Sequence, residues 1–297
     1  MLYVINSWVI NSTCLPAVSA DGGISAFSFA DLGLKTSDLA DFVRDNGTDR
    51  LTEIRHAVDM ADSAKAISLK DVKLCAPIMY PDQDVICLGI NYDEHALEAG
   101  RFSQEAFGGE RPYTIYFSKR VNRASATGES IPAYEGLVDS LDYEVELGVV
   151  LGRSVKCATS AEAEKSIFGY TIINDVSARN LQTRHKQWYL GKSLDGFTPM
   201  GPCIVTADEL GDPANLEISC TINGENRQRS NTRYMIQSIT NAIVELSAGM
   251  TLKAGTIIAT GTPSGVGMGF NPPRFLHSGD VVTCKIENIG NLTNYIE

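Results

Sequence analysis

The chain has no apolar stretch approaching the roughly 18 residues that a membrane-spanning helix requires, so no membrane is expected as a partner. Positive charge is scarce too. Lys and Arg number 25 against 36 Asp and Glu, a net charge of -11, which repels phosphate backbones and anionic lipid over most of the surface and argues against nucleic acid. Seven cysteines lie scattered at 14, 75, 87, 157, 203, 220 and 284 without a C-x-x-C pair, which excludes the common zinc and redox-dithiol patterns. A reducing cytoplasm is the expected compartment. Internal repeats and low-complexity segments are also missing. The opening, MLYVINSWVINSTCLPAVSA, lacks a basic leader region and breaks its apolar run at Asn6, Ser7 and Asn11, so it is read as mature protein folded as a hairpin.

What is present suffices for a full core, since 43% of 297 residues are hydrophobic. Organisation changes near residue 80. Before it, TSDLADFVRDNG reads as a helix capped by Thr36 or Ser37 and stopped at Gly47, followed by a second helix carrying Leu51, Ile54 and Val58 on one face. The stretch APIMYPDQ then reads as an extended linker, and the remainder is rich in strands with Gly and Pro turns. The division is taken as a small α/β unit over 1–78 and a chemistry-bearing domain over 79–297.

Residues 141–152, LDYEVELGVVLG, alternate strictly. Leu141, Tyr143, Val145, Leu147, Val149 and Leu151 share one face of a strand, and Asp142, Glu144 and Glu146 share the other. Adjacent carboxylates on one face repel unless water, partners or a cation relieve them. Gly148 and Gly152 continue the acidic side, leaving it bare for a ligand. About thirty residues on, GYTIINDVSARNLQ delivers Asp175 from a neighbouring apolar strand. Glu144, Glu146 and Asp175 would make hard oxygen ligands for Mg, Mn or Ca. A solvated sheet face explains the alternation equally well on spacing alone.

Three further segments carry polar chemistry. SARNLQTRHKQWYLGKSLDG gathers Arg179, Arg184, His185, Lys186 and Lys192 in an otherwise acidic chain; Arg184 and Lys186 read as an exposed face, and Lys192 as a loop lysine able to reach a carboxylate or an enolate oxygen. In NYDEHALEAG, His95 and Glu98 are three apart on a helix, so the carboxylate can orient the imidazole as a general base. Alone, the pair could equally be a surface ion pair. AGTIIATGTPSGVGMGF feeds a strand into a glycine-rich loop that is neither a phosphate loop nor a nucleophile elbow. It could offer backbone N–H groups and the Thr262 hydroxyl to an anion, or be a plain turn.

Taken in order, NYDEHALEAG, LDYEVELGVVLG, GYTIINDVSARNLQ, RHKQWYLGKSLDGFTPMGP, NGENRQ and LKAGTIIATGTPSGVG resemble the fumarylacetoacetate hydrolase superfamily over about residues 80–297. The RHKQ and GKSLD stretches and the GMGFNPPRFLHSGD segment are most similar to its two-domain bacterial branch, which includes oxaloacetate tautomerases and decarboxylases and dienedioate isomerases. The resemblance implies an α+β, β-rich fold, a mixed β-sandwich roll preceded by a small α/β domain and paired as a homodimer. It implies Mg2+ or Mn2+ on Glu144, Glu146 and Asp175, a catalytic set of His95, Glu98 and Lys192, and substrate contacts from Arg179, Gln182 and Thr262. Asn180 departs from the aspartate of many relatives, beside the site, where tuning is expected. The implied substrate is a small anionic 2-oxo or β-diketo acid reacting through a metal-stabilised enolate, by C–C hydrolysis, tautomerisation or decarboxylation. A metal-dependent binding protein of the same fold would have no use for His95, Glu98 and Lys192.

Overall fold

A computed structural model describes residues 3–9, 13–36, 38–45, 47–109 and 112–297. Its frame is a ten-stranded sheet in the order Ile67–Ser68, Ser25–Ser28, Thr13–Ser19, Tyr3–Val9, Met200–Thr206, Ile167–Asn174, Val145–Leu151, Ile257–Ala259, Val85–Gly89 and Ile115–Lys119. Neighbours run antiparallel except Ile257–Ala259 beside Val85–Gly89. A five-stranded sheet (Glu225–Asn231, Glu217–Ile222, Val281–Ile286, Gly290–Ile296, Ser130–Ile131) packs against it. The fold is thus mixed and β-rich.

The hairpin expected at the start is present, with Tyr3 opposite Ser19 and Val9 opposite Thr13; its tip, 10–12, lies outside the described residues. Its outer strand pairs Tyr3 with Val205, so the first residues and the larger part of the chain share one sheet. The first helix spans Leu39–Arg44 and is capped by Asp38, whose carboxylate accepts the Asp41 N–H. Thr36 does not cap it, and Ser37 lies outside the described residues. Nor is Gly47 a stop: the helix ends at Arg44, and Gly47 opens a 3-10 turn. The second helix, Leu51–Asp59, buries Leu51 and Ile54 as its spacing requires. Cys14 and Cys75 are joined by a disulfide across 61 residues, which departs from the all-thiol expectation; Cys87, Cys157, Cys203, Cys220 and Cys284 are free.

The acidic strand is central, and every residue of Val145–Leu151 is buried. Its odd positions enter the core between the two sheets with Ile218, Val282 and Leu292. On the even side, Val150 joins Phe42, Ile54 and Phe168 beneath the N-terminal helices. Here the expected bareness of the glycines is corrected. A Cβ on Gly148 would lie 2.8 Å from Ile173 Cδ1, and one on Gly152 2.3 Å from Thr48 Oγ1. Both glycines make room for protein packing, and only the Glu144 and Glu146 end of that face opens toward polar neighbours.

Candidate active site

The solvated-face reading fails on burial. Glu144 is 5% exposed, Glu146 1% and Asp175 0%, and an oxygen from each lies within 4.8 Å of the others. Pairing of Ile173 with Glu146 brings the end of the strand Ile167–Asn174 alongside the acids, so the next residue, Asp175, completes the triad. The Asp175 N–H donates to Glu144 O at 2.9 Å, and the Glu144 N–H to Asn174 Oδ1 at 3.0 Å. The donor set fits a hard divalent cation. Burial, followed by the charges of Asp175 and Glu144, pushes the Glu146 carboxyl well above its ordinary range. Burial would raise Glu144 also, but Lys192, Arg179 and His95 outweigh it and hold that carboxyl low.

Asp142, the third acid of the alternation, does not join the triad. Its carboxylate accepts N–H groups of Tyr143, Gly267 and Met268 at 2.6 to 3.0 Å and pairs with Arg179 Nε at 2.8 Å. Arg179 is 1% exposed and also reaches Glu144 Oε1 (2.7 Å) and Gln182 Oε1 (2.9 Å). Lys192 ends a short helix, Tyr189–Lys192, in place of the expected loop. Its Nζ donates to Glu144 Oε2 at 2.8 Å and Asp175 Oδ2 at 2.6 Å. Arg184, His185 and Lys186 are exposed. Asn180 donates to Leu137 O at 3.0 Å, outside the triad.

His95 and Glu98 sit on the helix Asp93–Phe102, both buried, with His95 Nδ1 3.1 Å from Glu98 Oε2. The pair is not a surface one. The glycine-rich loop does bind an anion with its backbone, but the anions are the protein's own carboxylates. Gly265 N–H donates to both Glu98 oxygens (3.0 and 3.2 Å) and Gly261 N–H to Glu146 Oε2 (2.8 Å). Thr262 spends its hydroxyl proton on Val145 O at 2.9 Å and accepts from Gln228 Nε2 at 2.7 Å. His95, Glu144, Glu146, Arg179, Gln182, Lys192 and Thr262 line one small cavity of about 20 Å³.

Sequence reasoning missed three residues here. Lys119, 1% exposed, ends the edge strand Ile115–Lys119 and pairs with Asp175 Oδ1 and Val176 O. Gln228, fully buried, accepts the Val145 N–H at 3.1 Å and so ties the five-stranded sheet to the acidic strand. Tyr92, whose hydroxyl is buried without a partner among the described residues, precedes the His95 helix. The NGENRQ motif did contain Gln228, but nothing in the spacing tells where it points.

A buried carboxylate triad beside a His and Glu pair and three cations is the equipment of an enzyme. Residues 84–297 match the family described as fumarylacetoacetate (FAA) hydrolase C-terminal, and the chain belongs to that family, whose enzymes use divalent metals. It is 45% identical over 252 residues to oxaloacetate tautomerase YisK of Bacillus subtilis (strain 168), covering 82% of each chain. Among solved structures it resembles a fumarylacetoacetate hydrolase of psychrophilic Exiguobacterium antarcticum, with TM-score 0.82, 34% identity, and 100% and 99% coverage. A maleylpyruvate hydrolase from Sphingobium sp. SYK-6, in complex with manganese(II) and pyruvate, matches with TM-score 0.76 at 25% identity, covering 99% of this chain and 98% of that one.

Proposed function

We propose that the protein acts on a small 2-oxo acid by moving a proton at the carbon beside the oxo group, with oxaloacetate-type keto–enol tautomerisation as the principal reaction. The observation that supports this most is a histidine base sharing one small cavity with Glu144 and Glu146, two members of the acidic triad. Similarity to a tautomerase of oxaloacetate favours that outcome over C–C hydrolysis or decarboxylation, which form an enolate by breaking a C–C bond in place of a C–H bond. We place the chemistry in residues 79–297, with 1–78 as the N-terminal unit.

Glu144, Glu146 and Asp175 would hold a divalent cation, Mg2+ or Mn2+, whose positive charge would lower the cost of losing the proton beside the oxo group. Glu98 is held by Gly265 and in turn orients His95. With Nδ1 committed to Glu98, Nε2 is left to take the proton from carbon and return it. Arg179 and the Gln182 amide face the carboxylate of the substrate, and the Lys192 ammonium stabilises charge growing on the oxo oxygen. Thr262 shapes the wall and orders the acidic strand, since its proton is spent. We also read the enzyme as a homodimer, supported by the exposed Tyr113, Tyr234 and Ile236, and as cytoplasmic, which the five free cysteines support and the Cys14–Cys75 disulfide opposes.

The test is turnover of oxaloacetate, acylpyruvates and fumarylacetoacetate with Mg2+ or Mn2+, with ultraviolet absorbance of the enol as readout. Oxalate, whose adjacent oxygens mimic the enolate of a 2-oxo acid, should inhibit competitively and far better than acetate. No acceleration of any substrate with either metal, or equal inhibition by the two anions, overturns the proposal.

A further inference from the structure

The cavity that holds the site has about 20 Å³ of room, enough for roughly one water molecule. An oxo acid cannot enter it as it stands. The segment carrying His95 and Glu98, comprising the helices Asp93–Phe102 and Gln104–Phe107, roofs the cavity, so the contacts that hold this roof down govern access. Three contacts recur there. Glu98 takes the Gly265 N–H, Phe102 meets Phe275 edge-on at 6.4 Å, and Phe107 meets Trp188 at 5.6 Å.

Trp188 differs from the other two anchors. It is itself a wall of the cavity, and its ring is wedged between Phe107 and Phe117, the latter edge-on at 5.2 Å. Gly89 lies beneath it so closely that a Cβ there would stand 2.5 Å from Trp188 Cζ3. The Trp188 carbonyl accepts the Lys192 N–H at 3.2 Å, at the head of the helix that carries the lysine. The side chain of Trp188 therefore touches the roof and the sheet floor, where Lys192 Nζ lies 5.3 Å over the ring of its neighbour Phe117, and its backbone holds the turn that positions Lys192.

We propose that Trp188 is the latch of this site, a positioning residue that holds the Phe107 end of the roof closed and couples its closure to the placement of Lys192. The inference rests on the reading of this cavity as the substrate site, but its central test needs no substrate. In the metal-free full-length protein, Trp188→Ala should speed hydrogen exchange of amides 96–107 by roughly tenfold, the loss expected when aromatic packing on a locally opening unit is removed. Amides of 145–151 should keep their wild-type protection, which shows that the fold survives. Trp188→Phe, which keeps a ring against Phe107, should restore most of the protection. Unchanged exchange over 96–107 in Trp188→Ala, or a general loss that includes 145–151, overturns the latch.

A second readout separates this idea from the functional one. The chain has two tryptophans, so in a Trp8→Phe background emission comes from Trp188 alone. Oxalate added with Mn2+ should shift that emission, because the roof must move against Trp188 for the cavity to admit the ligand, while calorimetry reports binding independently. Binding without a change in emission or in exchange over 96–107 sinks the latch and leaves the function standing. No oxalate binding, with exchange faster in Trp188→Ala, sinks the substrate reading and leaves the latch standing.

Discussion

Replacing Arg179 by Met should destabilise the metal-free protein by about 3 kcal/mol, the lower end of the range for breaking a buried ion pair. The estimate comes from what each abandoned carboxylate keeps. Asp142 loses the Nε donor but retains the N–H groups of Tyr143, Gly267 and Met268. Glu144 loses the Nη2 contact but its carboxylate retains the Lys192 ammonium. Both acids stay buried, so the remaining partners reduce the loss without cancelling it. Urea unfolding in the presence of a chelator is the assay, and with an m-value of about 3 kcal/mol per molar the midpoint should fall by roughly 1 M. Arg179→Lys restores the charge but not the planar fork that serves Asp142, Glu144 and Gln182 together, so it should recover only part of the loss. A loss below about 1 kcal/mol, the size expected of an exposed pair, would refute the claim that this cluster is a closed electrostatic unit.

Glu146→Gln should weaken Mn2+ binding by at least roughly tenfold in calorimetry, because one of three anionic ligands becomes neutral; unchanged affinity removes the metal assignment. His95→Ala should leave that affinity nearly intact while lowering turnover by roughly 100-fold, as loss of a general base does, and full activity would dismiss the His and Glu pair. Burial, the largest single influence, would raise the Asp21 carboxyl, but the hydrogen bonds from Ser25, Ser19 and Ile24 together outweigh it and hold the group down to about 2. Its folded value lies below its unfolded one, so the ionised form stabilises the fold above about pH 4 and that gain is lost as pH falls toward 2. Because Asp21 is exposed, screening limits the gain to about 1 kcal/mol or less. Urea midpoints of wild type and Asp21→Asn should therefore differ at pH 6, with the gap shrinking from pH 4 toward pH 2; a constant gap contradicts the linkage.

Much of the site was legible because its residues announce themselves locally. The alternation across 141–152 put Glu144 and Glu146 on one face, the end of an apolar strand offered Asp175, and three-residue spacing joined His95 to Glu98. What stayed hidden depends on contacts between distant parts of the chain. Nothing near Lys119 shows that it will meet an aspartate 56 positions later. Gln228 is one polar residue in a strand of polar residues until the second sheet packs on the first. Gly148 and Gly152 look like room for a ligand, whereas Ile173 and Thr48 fill that space. The loop at 261–268 presents its N–H groups to anions as its composition suggests, yet those anions are Glu98, Asp142 and Glu146.

The pairing of Tyr3 with Val205 sets an order for biosynthesis. The hairpin of residues 3–19 leaves the ribosome first, but the strand that covers its free side, Met200–Thr206, follows about 200 residues later. Until then the nascent chain carries a strand edge with unpaired backbone groups, the kind of surface that invites association with other chains or with chaperones. The acidic strand Val145–Leu151 and its neighbour Ile167–Asn174 both emerge while that edge is still open. Closure of the large sheet is consequently a late event, and the strand Tyr3–Val9 is secured on its free side only after residue 206 has been made.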